Sequence, residues 1–263
     1  MKIEYSQFIT YCRCPKAYKY AYVENLEPIL VKKYFTLGKA FHTAIQSYYK
    51  GEDWKLHIDN SFNEYKKEKK DYLTTESLQR LDKDKGLLHL MVRRYIDFMF
   101  FYNLEYMSGE NKYSMSIDTD ILMWGRPDLI VHNSGQTELI ELKTVSSIGK
   151  SYRDYLRMSP QSTWYSIITG IPIVRYVLNR KATKSSMPYV EDLVIEPTER
   201  QKNRLIENIK AISGKLAFPN DICFYPNISI LCNTCQFNDL CLCESNKDEE
   251  EVKKALYQQK KEE

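Results

Sequence analysis

Between residues 121 and 143 the sequence encodes a hairpin, and its register constrains this chain more than any other local feature. Ile121–Val131 and Glu138–Lys143 are rich in apolar and β-branched residues. Between them, Asn133-Ser134-Gly135-Gln136 has the composition of a tight turn. Glu141 and Lys143 stand two residues apart, so their side chains share one face of the strand. The hairpin can bring Asp128 beside Glu141. Two adjacent carboxylates repel each other and are costly unless a cation neutralises them, and a hard divalent ion is the natural third party. Lys143 alongside can orient a water or stabilise developing negative charge. A polar strand edge could carry the same three residues, so the pattern alone does not decide between structure and catalysis.

The surrounding chain predicts an α/β fold. Two helices open it, the first capped by Ser6 and limited by Pro15. The second carries Leu37, Phe41, Ala44, Ile45 and Tyr48 at helical spacing. Residues 55–103 contain no proline and one glycine, with an apolar stripe at Leu88, Met91, Tyr95, Phe98 and Tyr102, which predicts two or three helices. The Lys66–Lys70 run is read as a solvated face. After Gly109 the texture turns to strands, at Met115–Asp118 and in the two hairpin segments. A helix is expected over 152–169, strands over Ile173–Asn179 and Glu191–Ile195, and a helix from Pro197-Thr198 to about Leu216.

Composition excludes several classes. Hydrophobic residues make up 43% of the chain, with only 9 Gly and 9 Pro, which argues against extensive disorder. The richest apolar stretch, near Ile167–Leu178, is broken by Gly170, Pro172 and Arg175 and is too short to span a bilayer. Met1-Lys2-Ile3-Glu4-Tyr5 lacks the apolar segment of a secretory signal, so an intracellular protein with no membrane association is expected. The net charge of +3 permits nucleic-acid binding without arguing for it. A reducing compartment disfavours disulfides among the seven cysteines, and a clustered subset points to metal ligation.

Four motifs resemble those of the RecB-like branch of the PD-(D/E)XK nuclease superfamily, in the expected order. Gly38-Lys39-Ala40-Phe41-His42 is similar to its Gly-x-x-x-His helix motif. Gly125-Arg126-Pro127-Asp128 is similar to the motif with the first metal-binding Asp, and Glu141-Leu142-Lys143 to the (D/E)-x-K motif. Gln161-Ser162-Thr163-Trp164-Tyr165 resembles the Gln-x-x-x-Tyr helix. The resemblance implies a restriction-endonuclease-like core, a mixed sheet flanked by helices, with an added helical lobe and a C-terminal cysteine cluster. His42, Asp128, Glu141 and the carbonyl of Leu142 would bind Mg²⁺ or Mn²⁺. Lys143 would position the hydrolytic water or stabilise the phosphate, and Gln161 and Tyr165 would support the metal site or hold DNA. Bottom-up, Gly38 and His42 are one turn apart, so Gly38 is expected to leave space beside the imidazole. Gln161 and Tyr165 likewise share a helix face, which also suits a half-buried polar pair. His57, His89 and His132 have no such context.

Cys14, followed by Pro15, together with Cys232, Cys235 and Cys241 resembles the split iron–sulfur motif of a RecB-like subgroup. That subgroup includes AddB-type recombination nucleases and CRISPR-associated RecB-like exonucleases. By that resemblance the four thiolates would hold a [4Fe–4S] cluster that ties the two ends of the chain together. Tetrahedral zinc is the competing occupant, although Cys12-x-Cys14 is spaced wrongly for a zinc knuckle. Cys12, Cys223 and Cys243 are surplus, and Cys12 could replace Cys14.

The expected organisation is one nuclease domain over 1–243. It comprises a helical lobe at about 55–110, a core at about 111–196 and a cysteine region at 223–243 closing onto Cys14, followed by a solvated charged tail at 244–263. The expected activity is metal-dependent hydrolysis of DNA, with single strands degraded from an end. The settings would be recombination and repair, viral DNA processing or CRISPR adaptation. No phosphate-loop motif is present, so unwinding would need a helicase or recombination partner. The alternative is a non-catalytic iron–sulfur subunit for DNA binding or assembly.

Overall fold

Proline has no N–H to give a β-ladder, and Pro127 accordingly ends the strand expected over 121–131. In the computed structural model, which describes residues 1–29, 37–70, 73–102, 104–182, 186–216 and 224–260, two strands replace it. They belong to different sheets.

The chain begins with β1 (Lys2–Glu4), α1 (Tyr5–Arg13), α2 (Pro15–Tyr18), a π-turn and β2 (Leu26–Pro28). Glu4 caps α1 in place of the expected Ser6, its side chain bound by the Gln7 N–H while Gln7 receives the Glu4 N–H. Then follow α3 (Leu37–Tyr49), α4 (Trp54–Glu68) and α5 (Thr75–Met99). Four strands come next: β3 (Glu105–Ser108), β4 (Tyr113–Asp118), β5 (Ile121–Gly125) and β6 (Leu129–Asn133). The third segment is β7 (Gln136–Val145), α6 (Lys150–Met158), α7 (Pro160–Thr169), β8 (Ile173–Arg180) and β9 (Tyr189–Ile195). The chain ends with α8 (Glu199–Leu216), a 3₁₀ turn, α9 (Asn238–Cys241), α10 (Asn246–Leu256) and β10 (Tyr257–Gln259).

The chain divides into two compact units. The larger holds residues 35–115 and 125–205. Its five-stranded mixed sheet runs β3-β6-β7-β8-β9, antiparallel except for the β7–β8 pair. The parallel pair requires a crossover, and α6 and α7 supply it. Helices cover both faces. On one, α3, α4 and α5 pack Phe41, Ile45, Phe62, Leu88 and Tyr95 against Leu129, Val131, Ile140 and Leu142. On the other, Leu156 of α6 packs with Ile130, Leu139, Val174, Tyr176 and Leu178. Alternate residues of β6, β7 and β8 serve the two cores, so the sheet is buried on both faces. The expected turn forms at Asn133–Gln136, with Ser134 at φ 49° and Gly135 at φ 91°, the left-handed pair that a two-residue hairpin needs.

The smaller unit holds residues 1–34, 116–124 and 206–263. Within it β1 pairs in parallel with β5, and the C-terminal segment is more than a solvated tail. Strand β10 pairs antiparallel with β2, and Tyr257 is buried against Phe237, ring centroids 5.8 Å apart, in a cluster with Tyr20, Ala21, Leu26 and Leu240. The Tyr257 hydroxyl donates to the Gln236 carbonyl at 2.7 Å. An aromatic anchor inside the charged run supplies the burial that its composition conceals. Among the described residues, no helix is long and apolar enough to cross a membrane.

Candidate active site

The hairpin register decides where the acidic residues meet. The last β6–β7 pair is Leu129 with Ile140, so Asp128 stands one step beyond it, opposite Glu141. There the side chain of Asp128 stands in for a strand. Its Oδ2 accepts the N–H of Leu142 at 2.7 Å, and its Oδ1 lies 3.1 Å from His42 Nδ1 on α3. Its backbone is fixed from the other side. The N–H of Glu110 donates to the Pro127 carbonyl at 3.1 Å, and a Cβ on Gly109 would come within 3.0 Å of the Asp128 carbonyl oxygen. Only glycine fits at 109 without moving that carbonyl, a role that no sequence signal announced.

Glu141 is 5% exposed and Asp128 8% exposed. Lys143 Nζ donates to Glu141 Oε1 at 2.7 Å, and Gln161 Nε2 from α7 donates to the same oxygen at 2.6 Å. The other oxygen, Oε2, is buried with no hydrogen-bond partner among the described residues. Burial, then the charge of Asp128, pushes the Glu141 carboxyl up to about 7, against the pull of Lys143 and His42. Lys143 is held above its ordinary range: burial opposes its charge, but the bond and charge of Glu141 outweigh it. His42 follows the same logic, with burial overcome by Asp128. Tyr165 is raised by burial and by the Glu141 and Asp128 charges, so it stays a neutral phenol.

The structure therefore brings together His42, Asp128, Glu141, Lys143 and Gln161, with Tyr165 one turn along α7. The Leu142 backbone touches the cluster through its N–H; its carbonyl is an expectation only. Gly38, expected to leave space beside the His42 imidazole, faces β7. A Cβ on Gly38 would meet Thr144 Oγ1 at 3.2 Å, so this glycine brings α3 close to β7. Gly125 acts similarly, since a Cβ there would lie 3.0 Å from the Tyr165 ring.

Two carboxylates and an imidazole are donor types that a hard divalent cation takes, and a buried carboxylate oxygen without a partner is costly until a cation or proton meets it. Among the described residues, no three His, Cys, Asp or Glu side chains are gathered closely enough to hold one metal ion. Asp128 spends both of its oxygens on His42 and Leu142, and Glu141 turns one of its own to Lys143 and Gln161.

In the smaller unit Cys241 feels the other three thiols singled out in the sequence. Burial raises the Cys241 thiol, Lys16 lowers it, and Cys235, Cys14 and Cys232 raise it further. Two of the sulfurs already accept backbone N–H groups: Cys14 Sγ from Asn227 at 3.4 Å and Cys232 Sγ from Ser229 at 3.5 Å. Among the described residues these thiols, like the carboxylates above, are not gathered closely enough in threes to hold a metal ion. Cys12 is exposed, Cys243 Sγ turns to the Asp239 carbonyl at 3.3 Å, and Cys223 lies outside the described residues.

Residues 3–242 match the family profile described as the PD-(D/E)XK nuclease superfamily. No curated protein matches the sequence. Similar solved structures include a provisionally named exonuclease from Eubacterium rectale, 12% identical over 90% of this chain and 88% of that one, with a TM-score of 0.49. An alkaline exonuclease from Laribacter hongkongensis is 12% identical over 49% of this chain and 66% of that one, with a TM-score of 0.35.

Proposed function

This chain belongs to the PD-(D/E)XK nuclease superfamily, and from that membership we propose that it is a metal-dependent deoxyribonuclease of the RecB-like branch, degrading single-stranded DNA from an end. His42, Asp128, Glu141 and the Leu142 carbonyl would hold Mg²⁺ or Mn²⁺. The observation that carries this reading is the unpaired, buried Oε2 of Glu141, set beside Asp128 and sharing its carboxylate with Lys143. Held by these residues, such an ion would supply polarisation of a phosphoryl oxygen and a lowered pKa of bound water.

The remaining work falls to the chain's own residues. Asp128 is oriented by Leu142 N–H, so it enters the site already aimed. Gln161 fixes the rotamer of Glu141 through Oε1, and Oε2, without a partner among the described residues, would be the oxygen offered to the cation. Lys143 keeps its proton, so it acts as a fixed positive charge that neutralises the phosphate as negative charge builds on it.

Cys14, Cys232, Cys235 and Cys241 would hold a [4Fe–4S] cluster. Its contribution is structural: it crosslinks segments more than two hundred residues apart, which limits the entropy gained on unfolding. The protein would act inside the cell, with any unwinding supplied by a helicase or recombination partner.

The test uses single-stranded DNA labelled at either end, linear or circular, with Mg²⁺, Mn²⁺ or EDTA. Metal-dependent loss of linear strands with circles spared supports the proposal, and the label released first gives the polarity. Equal rates on circles and linear strands would reject the end-dependent mode. An inert, brown, folded protein would favour a non-catalytic DNA-binding subunit.

A further inference from the structure

Helix α6 does more than connect β7 to α7. Arg153 anchors it to β9 by a two-pronged bond to Glu191, Nε to Oε1 at 2.7 Å and Nη2 to Oε2 at 2.8 Å, and Leu156 is buried beneath it. Two tyrosines three residues apart, Tyr152 and Tyr155, are thereby held on one side of the helix. Their rings stack with centroids 6.1 Å apart and planes 26° from parallel. Tyr152 is half-buried and packs with Ile148 and Tyr165 against the sheet core. Its phenol lies within Coulomb reach of the Lys143 ammonium. Tyr155 is the outer member and is 45% exposed.

The surface beside this stack continues in the same chemistry. The Arg180 guanidinium lies 5.9 Å from the ring centre of Tyr189, which is 51% exposed and within Coulomb reach of Arg153. Core packing accounts for Tyr152 but not for Tyr155, whose ring is ordered by its neighbour and left to solvent. A pre-stacked aromatic pair next to a cationic site is the arrangement that receives unpaired bases, because every base has a π-face and the protein has little left to order.

We propose that the Tyr152–Tyr155 stack is a platform for the base of the nucleotide adjoining the phosphate at Lys143, with Arg180 and Tyr189 continuing the path. It rests on the nuclease reading and narrows the substrate to a strand with unstacked bases, since a base within a duplex has both faces occupied. Tyr155 is a positioning residue: it holds the strand and takes no part in the bond cleavage.

The experiment measures binding with Ca²⁺ present, using a fluorescein-labelled oligo(dT) and an abasic oligonucleotide of equal length. Wild type, Tyr155→Ala and Tyr155→Phe are compared. The platform predicts that Tyr155→Ala weakens oligo(dT) binding by about tenfold while Tyr155→Phe matches wild type, in keeping with the usual effect of removing one stacking ring. The abasic strand should bind wild type and Tyr155→Ala alike. Unchanged oligo(dT) affinity in Tyr155→Ala, an equal loss on the abasic strand, or no binding by wild type would each overturn it. Cleavage by wild type in Mn²⁺ is scored separately. Ring-dependent binding without cleavage would reject the nuclease reading and keep the platform, and cleavage with unchanged binding would reject the platform alone.

Discussion

Lys143 and Glu141 form a half-satisfied pair: Nζ lies 2.7 Å from Oε1, and the sister oxygen Oε2 is buried with no partner among the described residues. Ion pairing and desolvation therefore pull on one carboxylate in opposite directions. Desolvation wins, and Glu141 titrates near 7.

That balance predicts a pH-dependent stability. The folded-state pKa of Glu141 lies above its unfolded value, so between about pH 4.5 and 7 the folded protein binds more protons and loses stability as pH rises. Raised His42 acts in the same direction, its contribution fading as pH climbs through its folded pKa. Glu141→Gln should stabilise the metal-free protein at pH 8, by at most about 3 kcal/mol, and should change little at pH 4. Thermal melts in EDTA check this. A variant less stable than wild type at pH 8 would contradict it.

Gln161 donates to Glu141 Oε1 and is not among the proposed metal ligands. Gln161→Ala should weaken Mn²⁺ affinity by about 10- to 100-fold, as loss of such an orienting bond does elsewhere. Titration calorimetry on the metal-free protein measures it, and an unchanged affinity would show that Glu141 is oriented by Lys143 alone.

Two glycines should respond oppositely to alanine. At Gly109 the new Cβ meets the Asp128 carbonyl at 3.0 Å, so Gly109→Ala should cost about 1–3 kcal/mol and displace Asp128. Gly86, inside α5, has open space around it, and Gly86→Ala should stabilise by up to about 1 kcal/mol. Urea denaturation of both variants decides it.

The proposed [4Fe–4S] cluster predicts that protein purified anaerobically contains iron, and that substituting Cys235 abolishes it and lowers the melting temperature. Cys12→Ala should leave iron and colour intact, since Cys12 is exposed and is not among the thiols that raise Cys241. Zinc in place of iron would give a colourless protein.

Much of this site was legible in the sequence because it depends on local geometry. A Gly-containing turn at 133–136 sets the hairpin register, and the register alone carries Asp128 opposite Glu141. The spacing of Gln161 and Tyr165 survives because a helix repeats every 3.6 residues. What stayed hidden depends on contacts between distant segments. The Gly109–Asp128 approach, the Gly38–Thr144 contact and the Tyr152 phenol near Lys143 join segments whose separation no periodicity encodes. The burial of Tyr257 is hidden in the sequence because its charged neighbours dominate the composition of its segment, while pairing with β2 buries it. The apolar run over 121–131 reads as one strand because it masks the break at Pro127.

The most direct test of the central claim is single-turnover cleavage of an end-labelled single strand in Mn²⁺, comparing wild type with Glu141→Gln. Gln preserves the shape of the side chain and removes the charge that would hold the cation. The account predicts cleavage by wild type that EDTA abolishes, and a loss of at least about a hundredfold in the variant, as removal of a principal charge-stabilising group commonly causes. Equal cleavage by the two proteins would contradict it.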